Sequence, residues 1–167
     1  MARPLLFKPK YGIKIEEVAM KILIATLNSK YIHTNLAIRY FYKILKNKKY
    51  NVHIKEFTIN EYINDIVQSI TDINPDVIAF STYIWNIEMT LKISNNIKKI
   101  NPNIQIILGG PEVSFDAEKI LKENNYINSI IKGEGEEILV KVIEDIKNKL
   151  KKNIYNRKSG REYRKNT

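Results

Sequence analysis

Five short apolar runs, each followed by a stretch with helical spacing, constrain this chain more than any other feature. The runs are KILIATL (21–27), YNVHIKEFT (50–58), PDVIAFST (75–82), IQIILGG (104–110) and INSIIKG (127–133). The first and third are the most continuous, as strands covered on both faces require. The second alternates at Val52 and Ile54, as a half-buried outer strand does. Amphipathic segments over 35–48, 59–73, 86–100, 114–124 and 134–150 place isoleucines and leucines on one helical face. Asn74-Pro75 stops the second helix, and Ser114 is the expected N-cap of the fourth. Five βα units with right-handed crossovers predict an α/β three-layer sandwich around a five-stranded parallel sheet. The expected strand order is 2-1-3-4-5, flavodoxin-like or Rossmann-like, with strands one and three central.

The 167 residues, 44% of them hydrophobic, suffice for one domain with a sizeable core. Residues 20–150 are read as that domain, 1–19 as a leader or an extension added in cloning, and 151–167 as a basic tail or linker. The net charge of +10 is carried chiefly by the ends. Residues 151–167 contribute +6 and residues 1–19 contribute +2, leaving only +2 for the domain. A solvated tail accounts for that distribution more simply than a nucleic-acid surface. No apolar run approaches the roughly 18 residues of a membrane span, and no secretory signal is legible at the start. Cysteine is absent, which excludes disulfides, thiolate catalysis and any iron–sulfur cluster held by this chain. A cytoplasmic location is the default expectation.

Open α/β sheets bind ligands outside the carboxyl ends of their strands. Those ends carry Asn28, Ser29, Tyr31, His33 and Thr34 after strand one, and Ser81, Thr82, Tyr83 and Trp85 after strand three. Gly109, Gly110, Pro111 and Glu112 follow strand four, and Gly133, Glu134 and Gly135 follow strand five. The end of strand two offers nothing comparable. Paired glycines bare the backbone to a bulky ligand, Ser81 and Thr82 can hydrogen-bond, and Tyr83 and Trp85 offer flat apolar area. Each feature alone also has a bland reading: a tight turn, a helix cap, a core tryptophan. No phosphate-binding glycine loop, no acidic cluster after strand one and no Ser–His–Asp set is present. The domain therefore reads as a holder of a cofactor, with no catalytic residue of its own.

The chain over 20–150 resembles the cobalamin-binding domain at the N-terminus of cobalamin-dependent radical S-adenosylmethionine enzymes. The matching features are KILIATLNSKYIHTNLAIRY, DVIAFSTY, IILGGPEVS and IIKGEGEE. Ser81, Thr82 and Tyr83 take the place of the family's Ser-x-Leu, and Gly109-Gly110 that of its Gly-Gly. The family's Asp-x-His-x-x-Gly stretch is matched only at His33, since Tyr31 stands for Asp and Leu36 for Gly. His33 is the candidate axial ligand for cobalt, but the radical branch typically holds cobalamin base-off without a protein histidine. The resemblance implies a cobalamin-holding segment of a radical enzyme, a methyltransferase by preference. The partner would be the protein's own C-terminal radical domain, where the iron–sulfur cluster and S-adenosylmethionine belong.

The resemblance further implies that the cofactor's nucleotide tail runs past Ser81, Thr82 and the two glycines. On that view Gly110→Val should lose cobalamin and keep the fold. Three other readings stay open: a cofactor-free flavodoxin-like interaction module, a flavin or nucleotide carrier and, third, a basic nucleic-acid binder.

Overall fold

Strand and helix alternate from Lys21 onward in the computed structural model, which describes residues 19–30 and 35–156. Strand β1 (Lys21–Asn28) is buried along nearly its whole length. Helix α1 (Leu36–Asn47) is N-capped by Asn35, whose side-chain oxygen accepts from the amides of Ala37 and Ile38. Strand β2 (Asn51–Thr58) and helix α2 (Ile63–Ile73) follow. Helix α2 ends at Asn74, in the left-handed region with φ 50°, and Pro75 prevents its continuation. Strand β3 (Val77–Ser81), helix α3 (Ile87–Ile100) and strand β4 (Gln105–Gly109) form the next unit. Two short helices, α4 (Pro111–Phe115) and α5 (Ala117–Glu123), then lead to strand β5 (Ser129–Ile131). Helix α6 (Glu136–Lys147) and strand β6 (Ile154–Tyr155) complete the described chain.

All strand pairs are parallel, and the order is β2-β1-β3-β4-β5-β6. The predicted order 2-1-3-4-5 is correct as far as it goes, but the sheet has six strands and not five. The added strand lies within the stretch read as a basic tail. It escapes sequence reading because a single Ile-Tyr pair among lysines and asparagines shows no periodicity. The fold nevertheless uses it: Tyr155 is buried, and Ile130 and Lys132 donate backbone hydrogen bonds to the carbonyls of Asn153 and Tyr155.

Alternation along the strands divides the core in two. Leu23, Ala25, Leu27, Ile78, Phe80, Ile106 and Leu108 pack with α2, α3 and α5 on one face. Ile22, Ile24, Val77, Ala79, Ile107 and Ile131 pack with α1 and α6 on the other. The sheet is therefore the middle of three layers, as the βα alternation requires. No described helix is long and apolar enough to cross a membrane.

The expected helix over 114–124 is instead two, broken at Asp116. Pro111 starts α4 at once after Gly110, which suits a residue without an N–H at the first helical position. Ser114 therefore sits inside a helical turn and is not its N-cap.

Candidate functional site

Side chains on the α1–α6 face of the sheet shrink toward the carboxyl ends of the central strands. On β3 that face reads Val77, Ala79, Ser81, and on β4 it reads Ile107, Gly109. Ser81 and Gly109 are register partners, so the smallest side chains lie next to one another. Helix α1 contributes Ala37 opposite them. The volume thus left unfilled is a cavity of about 250 Å³ between the sheet, α1 and α6. Ile24, Phe41, Ile107, Ile131 and Leu139 wall it, and Ser81, Tyr83, Gly109, Gly110 and residues 133–136 also border it.

The two glycines do different work. A Cβ on Gly109 would meet only Ile131 Cβ, at 3.8 Å, which is ordinary contact. Its missing side chain therefore leaves space on the cavity side. Gly110 has φ 110°, and a Cβ there would lie 2.3 Å from the carbonyl oxygen of Thr82. Its missing side chain serves backbone against backbone. Thr82 is fully buried and clamps this junction: its amide and its hydroxyl both donate to the Gly109 carbonyl at 2.7 Å. The Ser114 hydroxyl donates to the Gly110 carbonyl at 2.8 Å and accepts from the Gly133 amide at 3.2 Å. The loops after β4 and β5 are tied together by that one oxygen.

Tyr83 and Trp85 stack face to face, with ring centroids 4.6 Å apart and planes 2° from parallel. Trp85 is half-exposed, and its indole N–H donates to the Leu27 carbonyl at 3.3 Å. Asn86, wholly buried, donates to the carbonyls of Leu27 and Ser81 and accepts from the Tyr83 amide. These bonds fix a flat apolar platform beside the cavity. Ile84, between the two stacked residues in sequence, is itself 77% exposed.

The end of β2, bland in the sequence, holds a charged knot. The Glu56 carboxylate accepts from Asn28 Nδ2 at 2.8 Å, the Asn35 amide at 3.1 Å and Arg39 Nε at 3.1 Å. Asn35 in turn donates through Nδ2 to the Tyr83 hydroxyl at 3.2 Å. Glu56 thereby sets the start of α1, the helix that carries Ala37 and Phe41 to the cavity wall. Its burial would raise its pKa, but the bonds from Asn35, Asn28 and Arg39 and the guanidinium charge outweigh that. The carboxyl is held below its ordinary 4.5. A depressed folded pKa gives stability that is present above the unfolded value and lost as pH falls through the folded one. Glu56→Gln is expected to lower stability by about 1–2 kcal/mol at neutral pH. Urea unfolding at pH 7 and pH 3 checks this: the gap should shrink at pH 3, and an equal gap would mean that charge is not what matters.

Of the sequence candidates, the structure gathers Ser81, Tyr83, Gly109, Gly110, Pro111, Gly133, Glu134 and Gly135 around one cavity. Thr82 lies behind the wall, Trp85 on the platform and Glu112 in the first turn of α4. Asn28 is turned to Glu56, and Ser29 is partly exposed beyond the end of β1. Tyr31, His33 and Thr34 lie outside the described residues. Sequence reading missed the apolar wall and Glu56. The wall was foreshadowed by the decreasing series Val77, Ala79, Ser81; nothing in the sequence singles out Glu56 among the other acidic residues.

An apolar cavity and a flat platform at the carboxyl edge of an open parallel sheet lie where sheets of this class take their ligands. The B12 binding domain family model matches residues 22–143, and the chain belongs to that family. Among sequence relatives, the cobalamin-dependent radical SAM methyltransferase TokK of Streptomyces tokunonensis is 33% identical over 72 residues. That match covers 42% of this chain and 11% of TokK. The anaerobic magnesium-protoporphyrin IX monomethyl ester cyclase of Rubrivivax gelatinosus is 32% identical over 83 residues, 48% of this chain and 14% of the cyclase. The chain thus matches only a small part of each relative. Among solved structures, the cobalamin-dependent S-adenosylmethionine radical enzyme OxsB, with aqua-cobalamin and S-adenosylmethionine bound, superposes with a TM-score of 0.68. That pair is 21% identical and covers 80% of this chain and 20% of OxsB, so the likeness is one of fold.

Proposed function

We propose that this chain binds cobalamin in base-off form, with the nucleotide tail in the cavity and the corrin over the rim loops. The observation that carries this is the cavity itself, which opens at the carboxyl edge where sheets of this kind take their ligands. It fits the group: Gly109 leaves a space that a branched side chain would fill. The Ser81 hydroxyl borders that space without a partner among the described residues.

When bound, cobalamin supplies a cobalt centre able to carry a methyl group. This chain's residues hold it. Ser81 offers the tail one hydrogen bond, the Tyr83–Trp85 stack offers the ring a flat apolar face, and the Gly133 and Gly135 loop brings backbone close. In the whole protein, the partner of this segment is a C-terminal radical domain that holds the iron–sulfur cluster and S-adenosylmethionine. A methyl transfer reaction in the cytoplasm is the activity that reading favours. The TokK match and the lack of cysteine in this segment support it.

Titration with hydroxocobalamin tests the proposal. A saturable spectral change toward the base-off form is expected, and no saturable change would overturn it. Tyr31 and Leu36 in place of the family's Asp and Gly argue against His33 as a cobalt ligand. Electron paramagnetic resonance of the cobalt(II) complex should be the same in His33→Ala. Loss of a nitrogen splitting would instead assign His33 to the metal.

A further inference from the structure

The cavity is built almost entirely of hydrocarbon, and its polar groups are few and mostly engaged. Ser81, Tyr83, Glu134 and Glu136 are its polar side chains. The two glutamates lie at the outer rim, where water reaches them. The Tyr83 hydroxyl receives the Asn35 amide nitrogen. Three backbone acceptors at the ends of β3 and β4 are committed as well. The Ser81 carbonyl accepts from Thr26 and Asn86, the Gly109 carbonyl twice from Thr82, and the Gly110 carbonyl from Ser114. That leaves the Ser81 hydroxyl as the uncommitted polar side-chain group on the strand floor among the described residues.

We infer that this cavity selects the lower base of its cobamide, favouring a benzimidazole over a purine. The inference rests on the cobalamin reading above. A benzimidazole released from cobalt presents one ring nitrogen, which one hydroxyl can serve, and otherwise C–H and methyl edges. Adenine adds further ring nitrogens and an exocyclic amine. Here they would be buried against Ile24, Ala79, Ile107 and Ile131 with their water removed and no second side-chain partner on the strand floor. Ser81 provides for one polar contact, and the hydrocarbon wall penalises any more.

Affinities of cobalamin and its adenine-based analogue for the 167-residue chain, by absorbance titration, test this. Once each affinity is corrected for the base-off equilibrium of the free cobamide, measured by acid titration, cobalamin is expected to bind about tenfold tighter or more, since tenfold corresponds to about 1.4 kcal/mol, within the cost of one unpaired buried group. Ala79→Ser adds a hydroxyl to the floor and should narrow the preference about threefold, with thermal unfolding confirming the fold. Comparing that ratio between variant and wild type cancels any difference between the free cofactors. Equal corrected affinities in the wild type would overturn the inference while leaving the cofactor reading intact. A preference untouched by Ala79→Ser would overturn its assignment to this cavity. Binding of neither compound would overturn the cofactor reading, and this inference with it.

Discussion

Gly110→Val is expected to destabilise the domain by about 3 kcal/mol or more, whether or not cofactor is added. At φ 110° and ψ 174° Gly110 occupies a region open essentially to glycine alone. The new Cβ would also have to displace the Thr82 carbonyl from 2.3 Å. Thr82 cannot yield cheaply, because its amide and hydroxyl hold the Gly109 carbonyl across the centre of the sheet. Chemical unfolding followed by circular dichroism measures the effect. A variant as stable as wild type would show that the junction is looser than its hydrogen bonds indicate. This outcome replaces the expectation from sequence, in which Gly110→Val spares the fold and loses only the cofactor.

The substitution that separates binding from folding is Gly109→Val. Gly109 is the last residue of β4, its φ lies outside the left-handed region, and its new Cβ would make ordinary contact with Ile131. Valine suits a strand, so stability should stay within about 1 kcal/mol of wild type. The two methyl groups would occupy the cavity beside Ser81. Cobalamin affinity is expected to fall about a hundredfold, as a tail that no longer enters forfeits both its apolar burial and its hydrogen bond. Titration with hydroxocobalamin alongside thermal unfolding reads both quantities. Full affinity in a folded Gly109→Val would place the tail somewhere other than this cavity.

The parts of this molecule that obey periodicity are legible in its residues alone. The apolar runs of β1 and β3 announce central strands, and the isoleucine spacing of α2 and α3 announces helices with one buried face. Features that depend on a single residue are not legible in that way. The pair Ile154 and Tyr155 is too short to show a period, and Asp116 interrupts a helical pattern that otherwise continues. Within the site, strand ends locate the rim, because the topology of a parallel sheet dictates where loops gather. The same logic cannot divide the labour of Gly109 and Gly110, which differ only in backbone angle and neighbour. Nor can it find Glu56, whose importance comes from Asn28, Asn35 and Arg39 meeting it from elsewhere in the chain.

Strand β6 bears on where this domain can be cut. It covers the outer side of β5, whose Ile131 walls the cavity, and it fills the core with Tyr155. A chain shortened after residue 150 would bare the Ile130 and Lys132 amides that now donate to β6. It would also open the slot that Tyr155 occupies. Unpaired strand groups beside an apolar hollow are a template for another molecule's chain. Such a shortened protein should self-associate through β5, so the two residues least visible in the sequence guard the domain against its own copies.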